Sequence, residues 1–390
     1  MKLLLLTTSR WTKDWFLKLV LPFFDIDYSI EFYNISYNTF TQNFNNLKRL
    51  LNDPNIVCLA LFEDTMNLYS TLLEYIDGRT GGNLYCFQLC SNKIAARNIL
   101  DIDANKIDFK IITNGYKYLI FDKQYIFKPI NGVSSNGIFK IEKNKLNINP
   151  YYKKFQVNEP LILNKLCKYN DIINYFNHTL VGLVEEYINP IHRKISVDGF
   201  IQNGKIYHYC ISENVYKKYN PEKFDYLLTP IKNITKKQIK LVIDLYDNIV
   251  NILISKGLDN QFCDIEMFLI ESNLSTKVKL MEVNCRAFAN QIPIFSQLYK
   301  ENSVIPISYK LLRKIPVEDC DYLNKNLNSK VFGMCFYKKH LRKAPNIILS
   351  DNISYYKINN DLSHIYIVGK NIKNMKKSVE GYYNQLKLIY

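Results

Sequence analysis

The chain has 390 residues, of which 47% are hydrophobic and 22% charged. This length exceeds one small domain and the apolar share excludes a disordered chain, so we expect about two or three packed units. The formal net charge is +15, but the lysines are spread along the chain and form no basic tail. That distribution favours anionic small molecules over nucleic acid as partners.

The first elements alternate between strand and helix. Buried strands are predicted at 2–6, 55–62 and 84–89, and a helix at 41–51. The run NIVCLALF is continuously apolar, as in a parallel strand that is covered on both faces. The alternation predicts a small α/β domain over residues 1–90.

The rest of the chain gives more strands. Residues 93–100 and 237–256 have helical spacing, and Gly257 stands where a C-terminal cap is expected. A hairpin is predicted over 194–212, because Asn203-Gly204 is a strong hairpin-turn signal. Further strands are expected in the segments 117–130, 138–141, 179–188, 262–270 and 277–284. A tail from about residue 311 predicts a few strands and a last helix at 370–385.

The nine cysteines are scattered, and the close pair Cys86 and Cys90 has no second pair to complete a zinc site. We therefore expect reduced thiols in a reducing compartment. The start, MKLLLLTTSR, has an apolar run shorter than the roughly 7–15 residues of a secretory signal. No run approaches the roughly 18 apolar residues of a membrane span, so the sequence predicts a soluble cytoplasmic protein without a membrane partner.

The stretch KPINGVSSNGIFKI, residues 128–141, is a glycine-bearing turn between two predicted strands. Glycines let backbone N–H groups approach an anion, and Ser134 and Ser135 add donors while Lys128 adds a point charge. The stretch contains neither a P-loop nor a dinucleotide fingerprint. A phosphate-binding turn and an ordinary hairpin both fit it.

Acidic side chains interrupt the apolar strands DIEMFLI and LMEVN. Alternation along a strand places Glu282 and Asn284 on one face, and Glu266 lies in the strand predicted to pair with theirs. Two carboxylates and an amide oxygen are hard ligands that suit Mg²⁺ together with substrate phosphates. The alternative is a solvated sheet face, but charges between core residues need partners or a metal.

In order along the chain, these elements resemble the ATP-grasp superfamily. The resemblance rests on the lysines in SNK (93) and FKP (128), the glycine turn, LVEEYI, the SVDGF hairpin and MEVNCR, over roughly residues 90–300. Among its branches the chain most resembles the carboxylate–amine ligases, such as the L-amino acid ligases and biotin carboxylase.

The resemblance implies a mixed α/β fold, with ATP between antiparallel sheets. Its domains would be an N-terminal α/β domain at 1–90, an ATP-grasp domain at 91–310 with a lid at about 120–190, and a C-terminal α+β subdomain at 311–390. It also implies a role for each matching residue. Lys93 and Lys128 would contact the phosphates, and Ser134, Ser135 and Gly137 would form the lid over them. The adenine slot would consist of Glu185, Glu186, Tyr187 and Ile188. The metal ligands would be Glu266, Glu282 and Asn284, and Arg286 and Lys128 would act in catalysis.

Two positions depart from the family pattern. The family usually has aspartate before its first lysine, where this chain has Asn92. It usually has glutamate at the start of the hairpin strand, often in contact with ribose, and here Lys194 stands there. Asp198 or His192 could take over the ribose contact.

The reaction implied by the resemblance uses ATP and Mg²⁺, which Mn²⁺ could replace. A carboxylate would form an acylphosphate with release of ADP, and an amine would then displace phosphate to give an amide or peptide bond. The substrates would be a small-molecule carboxylate and an amine, with amino acids and peptides among the candidates, and a homodimer is compatible with the family. The alternatives are a kinase that phosphorylates a hydroxyl, a non-catalytic ATP-binding module, or a ligase that modifies a macromolecule.

Overall fold

The structure is a computed structural model of the chain. The residues that it describes are 2–9, 11–35, 40–62, 66, 83–100, 106–113, 118–119, 124–130, 138–141, 146–147, 171–176, 180–189, 192–217, 220–272, 275–339, 341, 343–350, 352–357 and 362–389. The predicted lid residues Ser134, Ser135 and Gly137 lie outside the described residues.

The N-terminal region contains a parallel sheet, as the alternating sequence predicted. Its elements are β1 (Lys2–Thr7), α1 (Lys13–Leu19), β2 (Ser29–Asn34), α2 (Phe40–Leu51) and β3 (Ile56–Leu59). The strand order is β2-β1-β3, with β1 parallel to both neighbours. The leucines of β1 are buried, because α1 and α2 are amphipathic helices that can cover the faces of this sheet.

One predicted strand is wrong. Residues 84–89 lie in a helix, α3 (Leu84–Ser91), which precedes α4 (Lys93–Leu100). The Asn83 side chain caps α3 by accepting a hydrogen bond from the Cys86 N–H, and residues 84–90 are all buried. A short run that is apolar on every side fits a buried helix and a buried strand equally well. The capping residue before it favours the helix.

A second, antiparallel sheet stands beside α4. It is built from short strands in the order β4-β9-β6-β7, and another pair joins β5 to β8. The bounds are β4 (Phe109–Thr113), β5 (Tyr118–Leu119), β6 (Tyr125–Pro129), β7 (Phe139–Ile141), β8 (Leu146–Asn147) and β9 (Leu180–Glu186). Strand β9 carries LVEE into the middle of this sheet, between β4 and β6.

The largest sheet has nine strands, in the order β14-β13-β10-β11-β12-β15-β18-β17-β16. The bounds are β10 (Arg193–Gln202), β11 (Lys205–Lys217), β12 (Asn220–Thr229), α5 (Lys236–Ser255), β13 (Gln261–Glu271), β14 (Thr276–Asn284), α6 (Ile292–Tyr299), α7 (Val304–Leu312), α8 (Tyr322–Leu327), β15 (Phe332–Lys339), β16 (Ile347–Leu349), β17 (Ile353–Lys357), β18 (Leu362–Gly369) and α9 (Ile372–Ile389). Short 3₁₀ turns lie at Leu21–Phe23, Ile173–Phe176, Ala289–Gln291 and Lys300–Asn302. Strands β15 to β18 therefore continue the sheet that β10 to β14 begin.

Local signals set the ends of the predicted hairpin and helix. Asn203 and Gly204 have φ values of 54° and 72°, as a two-residue hairpin turn between β10 and β11 requires. Helix α5 begins at a capping box formed by Thr235 and Gln238, and Gly257 follows it with a φ of 97°. The hairpin, α5 and the strands β13 and β14 are all confirmed.

Gly182 allows β9 to lie close to β6. A Cβ at this position would collide with the Lys128 carbonyl oxygen and with the ring of Phe127. We expect Gly182→Ala to lower the free energy of unfolding by about 1–3 kcal/mol through overpacking, measured by urea denaturation. The control is Gly381→Ala in α9, where the added methyl meets nothing within 4 Å and should stabilise the helix by about 0.5–1 kcal/mol. An unchanged midpoint for Gly182→Ala would contradict the close approach.

Among the described residues, no disulfide joins two cysteines, as expected from the scattered spacing, and seven of the eight described cysteines are buried. Within the same residues, no helix combines the length and the apolar character that crossing a membrane would need.

Candidate functional site

The predicted metal ligands lie side by side on one face of the large sheet. Glu266 of β13 is directly opposite Glu282 of β14, and Ser196 of β10 is opposite Glu266 on the other side. Residues that face each other across antiparallel strands share a face, so the three form one polar row. Glu266 is 9% exposed and contacts core strands on both sides, so its charge needs a partner.

A second polar row runs parallel to the first. It contains Asn284 of β14, Asp264 of β13 and Asp198 of β10, with each residue opposite the next. The Ser196 hydroxyl donates to one oxygen of Asp264 at 2.6 Å, and the Asn284 amide donates to the other at 3.1 Å. Burial, reinforced by the charge of Glu266, raises the pKa of Asp264 to about 7.

Asp198 lies at the buried end of this second row. One of its oxygens accepts the Phe288 N–H at 2.8 Å, while the other is buried without a hydrogen-bond partner in the structure. Burial and the neighbouring Asp264 raise the pKa of Asp198 well above its ordinary value. A protonated carboxyl group at this position would carry no charge to desolvate.

A bulge in β14 sets the position of Glu282. The register with β13 shifts between Glu266 and Met267, so that Glu282 pairs with Glu266 while Leu280 pairs with Met267. Such a shift leaves backbone groups unpaired. The buried Arg97 guanidinium satisfies them, since it donates to the Leu280 carbonyl at 2.9 Å and to the Met281 carbonyl at 3.0 Å.

Glu185 bridges two cations in the interior of the site. The Arg97 Nε donates to one carboxylate oxygen at 2.6 Å, and the Lys128 ammonium lies 2.5 Å from the other. Arg97 therefore ties β9, through Glu185, to the bulge of β14. Burial alone would raise the pKa of Glu185, but the charges of Arg97 and Lys128 outweigh it and lower the pKa to about 2.

Because folding lowers the pKa of Glu185, we expect the free energy of unfolding to decrease at acid pH. The pKa falls from 4.5 to about 2 on folding, so the stabilisation is present above pH ~5 and disappears as the pH falls towards ~2. Its size would be on the order of 3 kcal/mol. Unfolding free energies of the wild type and Glu185→Gln, measured against pH, should diverge most near neutral pH and converge in acid. Parallel curves would contradict the assignment.

Glu266, Glu282 and Asn284 together are called the acidic row below, and Lys93 and Lys128 line a cleft beside its member Glu282. The Lys93 ammonium lies 3.1 Å from a Glu282 oxygen. The cleft is open to solvent, and both lysines, Glu185 and Glu282 line it. Burial would raise the pKa of Glu282, but the charges of Lys93 and Lys128 hold it below its usual range.

Arg286 follows β14 and lines an adjoining cavity with Asn284 and Ser91. Its guanidinium donates to the Asn284 amide oxygen at 3.3 Å and to the Ala287 carbonyl at 3.2 Å. It lies 3.9 Å from Asp264. These contacts hold the arginine at the end of the acidic row.

The residues predicted for the adenine slot stand at the end of β9. The Glu186 N–H donates to the Asp108 carbonyl at 2.9 Å, and the Tyr187 N–H donates to the Gln124 carbonyl at 3.1 Å. The Lys140 ammonium lies 4.6 Å from the centre of the Tyr187 ring. The Glu185 side chain does not accompany them, since it contacts Arg97 and Lys128 in the interior of the site. Ile188 follows the last residue of the strand.

Sequence reasoning did not give Arg97, Asp264 or Ser196 a place in the site. Arg97 lies four residues after Lys93 in α4, so helical spacing puts both side chains on one face. Asp264 lies two residues before Glu266, and Ser196 lies two residues from both Lys194 and Asp198. Strand alternation puts residues two apart on the same face, so it could have found both. Lys194 lies 2.9 Å from Glu266, and although burial would lower its pKa, the charge of Glu266 raises it.

The donor set of the acidic row suits a hard divalent cation. Glu266, Glu282 and Asn284 present only oxygen ligands, and their side chains share one face. Within the described part of the chain, no three histidine, cysteine, aspartate or glutamate side chains are grouped so that they could hold a metal ion. Magnesium usually uses one or two carboxylates and completes its shell with phosphates and water.

No protein-family model matches the chain, and no curated protein matches it by sequence. Solved structures do match its fold. An L-amino acid ligase from Bacillus licheniformis has a TM-score of 0.62 at 9% identity, over 99% of this chain and 96% of the other. An N5-carboxyaminoimidazole synthetase from Staphylococcus aureus, complexed with ADP, has a TM-score of 0.57 at 10% identity, over 97% and 89%.

A third similar structure is the biotin carboxylase domain of the Hydrogenobacter thermophilus 2-oxoglutarate carboxylase, in complex with MgADP, ADP and bicarbonate. Its TM-score is 0.57 at 11% identity, over 95% of this chain and 86% of the other. All three matches extend over nearly the whole chain, from the parallel N-terminal sheet to the last helix. The chain therefore has the mixed α/β ATP-grasp fold that its motifs predicted.

Proposed function

We propose that this protein is an ATP-dependent ligase that joins a carboxylate to an amine and releases ADP and phosphate. One observation carries the proposal: Glu266 and Glu282 are paired, with Asn284 beside them, and Lys93 and Lys128 line a cleft together with Glu282. A triphosphate needs cations on both of its sides, and this arrangement offers ammonium groups on one side and metal ligands on the other.

The similar structures support the proposal through their fold. One of them is named as an L-amino acid ligase, and two others hold ADP or MgADP. At identities of 9–11% the fold alone is comparable, so the roles proposed here rest on the side chains of this chain. Function depends on the chemistry of the site and not on the fold.

Each side chain has a task in the proposed reaction. Lys93 and Lys128 would hold the phosphates as point charges, and the backbone at Glu186–Ile188 would border the adenine beside the Tyr187 ring. Glu266, Glu282 and Asn284 would hold Mg²⁺, which neutralises charge as it shifts between the phosphate oxygens. Arg97 positions the site, since it fixes both Glu185 and the bulge before Glu282.

The proposed reaction has two steps. A carboxylate oxygen of the substrate attacks the γ-phosphorus in line, the bond to the β-phosphate oxygen breaks, and ADP leaves. The amine then attacks the acyl carbon of the acylphosphate, loses a proton and expels phosphate. Arg286, at the end of the acidic row, would stabilise the negative charge that forms on the carbonyl oxygen when the amine adds to the acyl carbon. Exclusion of water would protect the acylphosphate, so a closing lid is expected.

The experiment is a screen of carboxylate and amine pairs, with Mg-ATP and separate assays of ADP and phosphate. Ligase activity requires that the release of both depends on the presence of both substrates. ADP release that a polyol stimulates, without phosphate release, would show a hydroxyl kinase. Nucleotide binding without turnover on any pair would indicate a binding module, and either result would contradict the proposal.

A further inference from the structure

Lys194 places a permanent cation inside the acidic row. Its ammonium lies 2.9 Å from a Glu266 oxygen, and the two side chains are only 21% and 12% exposed. Lys194 stands two residues before Ser196, which pairs with Glu266, so the two are diagonal neighbours on one face of the sheet. Backbone hydrogen bonds between β10 and β13 fix both ends of this ion pair.

Glu282, the second acidic ligand, is paired with a cation from outside its own sheet. Glu282 meets Lys93, which comes from helix α4 on the opposite side of the cleft. When phosphates enter the cleft, Lys93 can exchange its contact with Glu282 for a contact with them, because both side chains line that cleft. Lys194 lies in the same sheet as Glu266, so we expect its ion pair with Glu266 to persist when phosphates bind.

The difference changes how many divalent ions the site needs. Two carboxylates beside a triphosphate could hold two metal ions, as in sites where a metal pair clamps a phosphoryl group. Here one oxygen of Glu266 is already taken by an ammonium, which acts as a compact point charge. The other oxygen of Glu266, together with Glu282 and Asn284, remains for a single ion.

We propose that Lys194 takes the place of a second divalent cation, so that one metal ion binds with each nucleotide. This inference rests on the proposed nucleotide site and adds to it a metal count and the residue that sets the count. Lys194 would then be part of the phosphate-binding machinery, as a built-in cation beside the metal.

The test counts metal ions directly and does not depend on turnover. The protein is saturated with adenosine β,γ-imidotriphosphate and titrated with Mn²⁺, and the free ion is measured by electron paramagnetic resonance. We expect about one nucleotide-dependent Mn²⁺ per chain in the wild type and about two in Lys194→Met, with spin coupling between the two ions. Lys205→Met is the control, since Lys205 is an exposed lysine on the next strand, paired with Asp319.

The outcomes separate this inference from the proposed function. About two ions in the wild type would overturn the inference and leave the nucleotide site intact. A count of about one in a folded Lys194→Met would show that the lysine does not fill a metal position. Absence of any nucleotide-dependent Mn²⁺ in the wild type would overturn the nucleotide site itself. If Lys194→Met does not fold, Lys194→Gln tests the same loss of charge.

Discussion

Replacement of Glu282 by alanine should lower ATP turnover by about a hundredfold or more while the fold survives. Glu282 lies at the rim of the cleft, opposite Glu266 and 3.1 Å from Lys93. Its removal takes a carboxylate from the proposed metal ligands and leaves Lys93 without its contact to Glu282. Steady-state ADP release measures the loss, and the unfolding midpoint shows that the protein remains folded.

Glu271→Ala is the matched control for this variant. Glu271 is the last residue of β13, the strand that carries Glu266, but it is exposed and lies far along the strand from the acidic row. We expect turnover within about twofold of the wild type, as for a surface substitution away from the site. Equal losses in both variants, or normal turnover in Glu282→Ala, would remove Glu282 from the proposed site.

Arg97→Met should cost about 3–5 kcal/mol of the free energy of unfolding. The guanidinium is 4% exposed and donates to Glu185 and to the Leu280 and Met281 carbonyls. Methionine fills part of the volume but leaves the carbonyls at the bulge without a donor and Glu185 with one cation fewer. Urea denaturation measures the loss, which should be accompanied by weaker nucleotide binding.

Arg193 offers a control with the same set of contacts at a more exposed position. Its guanidinium binds both oxygens of Glu213 and donates to the carbonyls of Lys232 and Asn233. Its hydrogen bonds to these two carbonyls lie in exposed positions, so water can replace them when the arginine is lost. We expect Arg193→Met to cost only about 1 kcal/mol. Similar small losses for both arginines would show that Arg97 has no special role.

Periodic patterns and turn residues predicted much of the fold. The hairpin at Asn203-Gly204, helix α5 with Gly257 after it, and strands β1 and β3 of the parallel N-terminal sheet all follow from signals within a few neighbouring residues. Helix α3 was mistaken for a strand, because its residues are buried on every side and the run is short. Strand β12 was overlooked because NPEKFDYLLT alternates poorly and carries proline and charge.

The acidic row was predicted because alternation and apolar flanks are visible in the sequence. Its neighbours were not, because they depend on register between strands that are distant along the chain. Glu185 meets Arg97 across 88 positions, and Ser196 meets Asp264 across 68. The bulge at Met281, which decides that Glu282 faces Glu266, has no signature in the sequence, and Arg97 gains its role only through that bulge.

A crystal structure of the protein with Mn²⁺ and adenosine β,γ-imidotriphosphate would show whether the acidic row and the two lysines hold a metal-bound triphosphate between them. We expect an anomalous Mn²⁺ peak in contact with Glu282 and with the phosphates, while Lys93 and Lys128 bind the phosphates from the opposite side. A nucleotide bound elsewhere on the chain, or a manganese peak away from Glu266, Glu282 and Asn284, would contradict this arrangement.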